Sequence, residues 1–246
     1  KHHYLAGTQG FHSDIFAKFA QGLRNIGTVR SKPWRKINLL SKHNCTNRKK
    51  TMGMDVTGIM SENVIIADAS YLDKVAFDLT VNFERMLERR IQKADLCRWL
   101  DCVALDGGIE PGDNKIQVIF IYDGNGGQLD NFNPSNLEKD INGMAFKDNL
   151  GEFMMAAYPV AKDVTDMGRF FVETLKVTGD CKETKNIMVV ADIEKYGNEV
   201  KEALGKIKHK EKTLFAMEPQ TGSGFCQEIL GYSLMNALGI RGDELK

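Results

Sequence analysis

Short apolar runs that end in a polar residue alternate along the chain with helical patterns, and this alternation is the feature that most limits the fold. The clearest run covers residues 64–67 and is followed by Asp68 and then by Ser70. A continuous β-branched run of this length is typical of a strand buried on both faces, as in parallel sheets. We therefore expect this strand at the centre of an α/β sheet, with Asp68 at its carboxyl end.

The rest of the chain repeats this strand-to-helix order. Ser70 and Asp73 form a capping-box pattern before a long amphipathic helix, and a second helical pattern over 94–104 ends at Gly107-Gly108. Further strands are predicted over 116–122, 152–160, 186–191 and 213–217, and further helices over 167–177, 195–207 and 224–238 and after an Asn133 cap. The sequence predicts a three-layer α/β sandwich with a mainly parallel sheet of about five strands.

The first 58 residues differ in composition from the rest. They hold 11 of the 33 Lys and Arg residues but 2 of the 33 Asp and Glu residues, so residues 59–246 carry a net charge of −9. They also have no sustained helical or strand period, which predicts a basic, poorly ordered extension over 1–58 and a single α/β domain over 59–246. The extension could be an arm that binds nucleic acid or a segment without a selected role, and both interpretations stay open.

The cysteine pattern and the hydropathy of the chain bear on the redox state and the cellular location of the protein. The five cysteines form no CxxC or Cys/His cluster, which predicts reduced thiols and no structural zinc. No stretch approaches the roughly 18 apolar residues of a membrane span, and no signal peptide is evident. We expect a cytoplasmic protein without a membrane partner. The apolar face of the helix over 224–238 is interpreted mainly as core, and it would form a homo-oligomer contact only if apolar surface stays exposed.

Three predicted strands end in aspartate, namely Asp68, Asp123 and Asp192, and Glu194 follows the last of them. Ligands of open α/β sheets bind beyond the carboxyl ends of the strands, where the strand order reverses. Carboxylates brought together there repel one another, and Mg²⁺ or Mn²⁺ with oxygen ligands is the usual solution. The alternative is structural, since each aspartate is also a common residue of helix caps and turns.

Two segments resemble a known family. Residues 64–70 resemble the first strand of PIN-like and NYN ribonuclease domains, and residues 188–194 are similar to their late strand with two carboxylates. Lys162-Asp163-Val164 looks like their middle acidic element. The resemblance spans about residues 61–217 and implies that Asp68, Asp163 and Asp192, supported by Glu194, hold Mg²⁺ or Mn²⁺ for RNA hydrolysis. Glu194 stands where these domains usually have Asp. The body from Met60 onward also resembles an uncharacterised bacterial domain family, which implies no activity.

Other chemistries find little support. His209 is the one histidine after residue 58, and no Gly-x-Ser-x-Gly motif or dinucleotide fingerprint is present. The acidic body disfavours RNA binding unless a basic patch forms locally. Such a patch would consist of Arg85, Arg89, Arg90, Lys93 and Arg98. The alternative is that these residues lie on a solvated helix face. Two hypotheses follow, a metal-dependent ribonuclease of the PIN/NYN kind and a non-catalytic binding or scaffold protein of the same fold.

Overall fold

A computed structural model of the protein describes residues 35–36, 60–124, 127–161 and 165–245. The expected extension over 1–58 lies outside the described residues except for Arg35–Lys36. The strands are β1 (Arg35–Lys36), β2 (Asn63–Asp68), β3 (Ala94–Asp95), β4 (Asn114–Asp123), β5 (Phe132–Asn133), β6 (Met144–Lys147), β7 (Gly151–Val160), β8 (Asn186–Val190), β9 (Glu211–Ala216) and β10 (Cys226–Ile229). The helices are α1 (Ala69–Leu87), α2 (Leu96–Asp106), α3 (Met167–Asp180), α4 (Ile193–Lys206) and α5 (Leu230–Ala237).

The main sheet of the described chain has eight strands in the order β1-β6-β7-β4-β2-β8-β9-β10. Six neighbouring strands run parallel to one another, namely β7, β4, β2, β8, β9 and β10. The strand β6 pairs antiparallel with β7, and β1 pairs antiparallel with β6. The predicted three-layer sandwich with a mainly parallel sheet is therefore confirmed. The sheet is wider than about five strands because the short strands β1, β6 and β10 add to it.

The central strand β2 is buried along its whole length. Ile65 and Ala67 belong to one core cluster, together with apolar residues of α1, α2 and α5. Val64 and Ile66 point to the other face and join a second cluster with residues of α3 and α4. A strand needs apolar residues at every position when helices cover both faces, which explains the uninterrupted apolar run. Burying each of these isoleucines contributes roughly 1.5–3 kcal/mol.

The helix α5 is shorter than the sequence pattern suggests. Residues Cys226–Ile229 form the strand β10 beside β9, and α5 begins only at Leu230. Leu230 and Leu234 are fully buried in the first core cluster, so they are core residues of the chain. Among the described elements, no helix is long and apolar enough to cross a membrane.

Two other local predictions were wrong. Asp68, rather than Ser70, is the N-cap of α1, and its side chain accepts a hydrogen bond from the Tyr71 N–H. Asn133 ends the strand β5, and Asn136 instead caps a short π-helical turn, Leu137–Ile141. Aspartate, asparagine and serine all make good caps, so local sequence leaves the choice among nearby candidates to tertiary packing.

A hydrogen-bonded clamp joins α1 to the segment after β4. Asp73 Oδ1 accepts from the Asn131 backbone N–H at 2.8 Å, and Asp73 Oδ2 accepts from the Asn131 side-chain amide at 3.1 Å. The same amide also reaches the Asp73 carbonyl oxygen at 3.2 Å. Asp73 therefore fixes the position of this segment instead of capping its own helix.

The strand order reverses between β2 and β8. From β2 the chain proceeds outward through β4 and β7, and it then returns to the other side of β2 to form β8, β9 and β10. The carboxyl ends of β2 and β8 thus lie side by side at the point where the crossovers diverge, which is where open α/β sheets bind ligands. Asp68 and Asp192 follow the apolar residues of these two strands.

Candidate functional site

A pocket of about 340 Å³ opens at this end of the sheet. Segments that follow β2, β4, β7 and β8 all contribute to its wall. The lining residues are Asp68, Ser70, Tyr71, Lys74, Asp123, Val160, Asp166, Met167, Gly168, Asp192, Lys195 and Tyr196. The volume is within the range of small-molecule sites, which is about 300–1,000 Å³.

Asp68 lies at the base of the site and is 3% exposed. Its Oδ1 accepts from the Tyr71 N–H at 3.0 Å, and its Oδ2 accepts from the Tyr196 hydroxyl at 2.5 Å. Burial raises the pKa of Asp68 above its ordinary value, although both hydrogen bonds oppose that rise, and the Asp192 carboxylate adds to it. Asp68 is therefore a desolvated carboxyl whose charge is tuned by the groups around it.

Asp192 is the second buried carboxyl of the site, with 4% exposure, and it is the N-cap of α4. Its Oδ1 accepts from the Lys195 N–H at 3.3 Å, while its Oδ2 lies 2.8 Å from the Lys195 ammonium. The Asp192 side chain raises the pKa of Lys195, chiefly through this hydrogen bond. The first turn of α4 thus supplies Asp192 with both a backbone donor and a counter-charge, each from Lys195.

Tyr196 follows Lys195 and connects α4 to Asp68. The helix is kinked at Tyr196, whose φ of −139° and ψ of 26° are not helical. Gly168 of α3 makes room for its side chain, because a Cβ atom at Gly168 would lie 2.8 Å from the Tyr196 Cβ. Burial and the neighbouring Asp68 carboxylate raise the pKa of Tyr196, so its hydroxyl keeps the proton that it donates.

Two more aspartates reach the pocket from other segments. Asp123 ends β4, and its backbone N–H donates to Ser70 Oγ at 3.3 Å. Asp166 is the N-cap of α3, with its side chain accepting from the Arg169 N–H at 2.8 Å. Asp163, the predicted middle acidic residue, lies outside the described residues. Asp166 comes three positions later, immediately before the predicted helix at Met167, and this cap position is the signal that could have identified it.

Glu194 does not line the pocket. It is exposed in the first turn of α4, next to Lys195. Its charge still acts on the site, because burial together with Asp192, Glu194 and Asp68 raises the pKa of Tyr71 to about 12. The structure therefore brings Asp68, Asp123 and Asp192 into one pocket and leaves Glu194 at its margin.

The pocket has more acidic than basic side chains. Four aspartates line it against two lysines, Lys74 and Lys195, and only Lys195 forms an ion pair with another described residue. Carboxylate oxygens are the ligands that Mg²⁺ and Mn²⁺ prefer, so the donor chemistry suits such an ion. Within the described ranges, however, no three His, Cys, Asp or Glu side chains come together as a metal-binding group. The described carboxylates therefore form no cage of three around a cation.

The basic patch considered from the sequence is largely engaged in internal contacts. Arg89 forms an ion pair with Glu244 at 2.7 Å, and Arg90 forms one with Glu84 at 3.1 Å. Arg98 donates a hydrogen bond to the Asn236 side chain. Arg89 and Arg90 therefore each have an acidic partner within the described chain.

Sequence reasoning alone missed Tyr71, Lys74, Gly168, Lys195 and Tyr196 as residues of the site. The strand order and the pocket define an α/β protein with an acidic cavity at the switch point of its parallel sheet. The chain belongs to the family of unknown function DUF6621, whose model matches residues 57–245. No curated protein and no solved structure gives a significant match.

Proposed function

We propose that the protein is a metal-dependent phosphodiesterase that cleaves RNA at the pocket between β2 and β8. The observation that carries the proposal is the convergence of Asp68, Asp123, Asp166 and Asp192, each from a different segment, on one cavity at the switch point. Helix capping accounts for Asp68, Asp166 and Asp192 one by one, and the parallel sheet brings its strand ends to one edge. A ligand that is attracted to negative charge would in addition account for the cavity that these carboxyl groups share.

A divalent cation suits this pocket better than an anion. Mg²⁺ is commonly bound by one or two protein carboxylates, while waters and substrate phosphates complete its coordination. The two buried carboxyls, Asp68 and Asp192, interact electrostatically across the boundary between β2 and β8 and are the residues that would hold the ion. When bound, such an ion would polarise a phosphodiester and lower the pKa of a bound water.

The remaining side chains of the pocket have roles in binding and orientation. Lys74 is exposed at the pocket and has no ion pair with another described residue, so its ammonium is available to a phosphate. Tyr196 holds the Asp68 carboxyl by its hydroxyl, and Ser70 ties the end of β4 to α1 through the Asp123 N–H. RNA as the substrate is supported by the similarity of residues 64–70 and 188–194 to PIN-like and NYN ribonucleases.

A second candidate function is that of a non-catalytic binding module. It is favoured by the hydrogen bonding of the two buried aspartates. Asp68 and Asp192 both cap helices, and both already have a side-chain partner, Tyr196 and Lys195. In this alternative the pocket binds a ligand without metal and without turnover.

An RNA-degradation assay in Mg²⁺ or Mn²⁺ distinguishes the two candidates. We expect Asp68→Asn and Asp192→Asn to lower the rate by at least about a hundredfold, because asparagine keeps the helix cap but removes the charge. Asp95→Asn is the matched control, since Asp95 caps α2 through the Arg98 N–H and does not line the pocket. The nuclease proposal fails if wild type degrades no RNA with either metal, or if the three variants behave alike.

A further inference from the structure

Lys195 occupies an unusual place for a lysine. It lies in the first turn of α4, where the helix dipole disfavours a positive charge. Its ammonium nevertheless points back to Asp192 Oδ2 at 2.8 Å, and the Asp192 side chain is only 6% exposed. The acidic pocket therefore holds a cation of the chain itself against one of its two buried carboxyls.

The ion pair is open to water on its lysine side, because the Lys195 side chain is 75% exposed. The Asp192 cap also persists without the ammonium, because Oδ1 still accepts from the Lys195 backbone N–H. The charged groups that act on Lys195 are Asp192, Asp68 and Glu194, and all three are acidic. The ammonium is thus a solvent-accessible counter-ion at a buried carboxylate.

We propose that Lys195 is a tethered counter-cation that competes with a divalent metal ion for Asp192. In the free protein its ammonium neutralises the carboxylate, and a metal ion binds only by displacing it. The released ammonium then lies at the mouth of the same pocket as Lys74, where the phosphates of a substrate enter. This inference rests on the proposed function, because it takes the pocket between β2 and β8 to be the metal site.

The test is direct binding of Mn²⁺ to the full chain, measured by isothermal titration calorimetry and by electron paramagnetic resonance of free Mn²⁺. Lys195→Met removes the charge but keeps an unbranched side chain with good helix propensity. We expect it to bind Mn²⁺ about tenfold more tightly than wild type. Lys195→Arg keeps the charge and should bind like wild type. Lys201→Met is the matched control, since Lys201 lies in the same helix but does not line the pocket.

Each result has a defined meaning. If Lys195→Met binds Mn²⁺ more tightly than wild type and the other two variants do not, the result supports competition between Lys195 and the metal ion. Adding Asp192→Asn to Lys195→Met should then abolish the increase in affinity. Equal or weaker binding in Lys195→Met overturns it, while RNA cleavage by wild type in the same metal leaves the proposed function standing. If neither wild type nor Lys195→Met binds Mn²⁺, and the melting curves show both to be folded, the inference and the metal-dependent function fail together.

Discussion

The Tyr196 hydroxyl donates a hydrogen bond of 2.5 Å to Oδ2 of Asp68, although the two residues are 128 positions apart in the chain. This bond joins the kinked first turn of α4 to the end of the central strand β2. Both groups are buried, so neither has water as a ready substitute partner. The bond therefore couples the geometry of the pocket to the stability of the fold.

Tyr196→Phe tests this coupling. Removal of the hydroxyl leaves Asp68 Oδ2 without its donor in a desolvated place, and we expect a loss of about 2 kcal/mol in the free energy of unfolding. Urea denaturation at pH 7 measures the loss. Tyr158→Phe is the control, since Tyr158 packs against the core cluster of α3 and α4 and its hydroxyl has no hydrogen bond to another described residue. A loss of equal size in both variants would contradict the assigned role.

Gly168→Ala tests how Tyr196 is positioned. The added Cβ would lie 2.8 Å from the Tyr196 Cβ and 2.9 Å from its Cγ, so the ring must move. We expect destabilisation of about 1–3 kcal/mol, as for other overpacking substitutions, together with weaker cation binding at Asp68. Gly205→Ala in α4 is the control, because its nearest neighbouring atom would be 3.8 Å away. Equal stabilities of the two variants would refute the steric argument.

The stability of the protein should depend on the protonation of Asp68. Burial raises the pKa of this carboxyl above 3.8, so the folded chain keeps the proton at a pH where the unfolded chain has lost it. Stability from this group is thus complete below pH 3.8 and declines as the pH rises through the folded pKa. Asp68→Asn lacks this titration.

We therefore expect the unfolding free energy of Asp68→Asn, relative to wild type, to increase as the pH rises from 4 to 7. Denaturant titrations at several pH values in this range provide the measurement. Asp95→Asn controls for the loss of a capping carboxylate elsewhere. Parallel pH curves for wild type and Asp68→Asn would show that the Asp68 carboxyl has the same proton affinity in both states.

Lys74→Met should weaken the binding of single-stranded RNA. If its ammonium contacts one phosphate, the slope of log affinity against log salt decreases by about 0.7. Fluorescence anisotropy with a labelled oligonucleotide between 50 and 200 mM salt measures this slope. Lys93→Met is the comparison, since Lys93 belongs to the basic patch around Arg89 and Arg90. A change in Lys93→Met alone would place the RNA on that patch instead of at the pocket.

The sequence predicts the features that depend on local patterns. The apolar run of β2 identifies a strand buried on both faces, because the residues from Val64 to Ala67 pack alternately against the helices on either side of the sheet. The same reasoning predicts that two strands end at Asp68 and Asp192. These two carboxyl groups lie near each other because β2 and β8 are neighbours in the parallel sheet. These are consequences of periodicity and of how parallel sheets place their carboxyl ends.

The contacts between distant segments were beyond such reasoning. No spacing rule links Tyr196 to Asp68, and none predicts that Gly168 of α3 leaves room for the Tyr196 side chain. The helical spacing over residues 224–238 hid the strand β10, because Cys226–Ile229 has only four residues, none of them buried, and no apolar pattern that indicates a strand. Pairing with the edge of β9 makes this segment a strand.

The clamp between Asp73 and Asn131 has a mechanical consequence for the pocket. Because three hydrogen bonds hold the segment after β4 against α1, the helix that carries Lys74 is braced against this segment. The Lys195 side chain also lines the pocket, and it is 75% exposed. We therefore expect a ligand to be accommodated by rotation of this one long side chain, without displacement of α1.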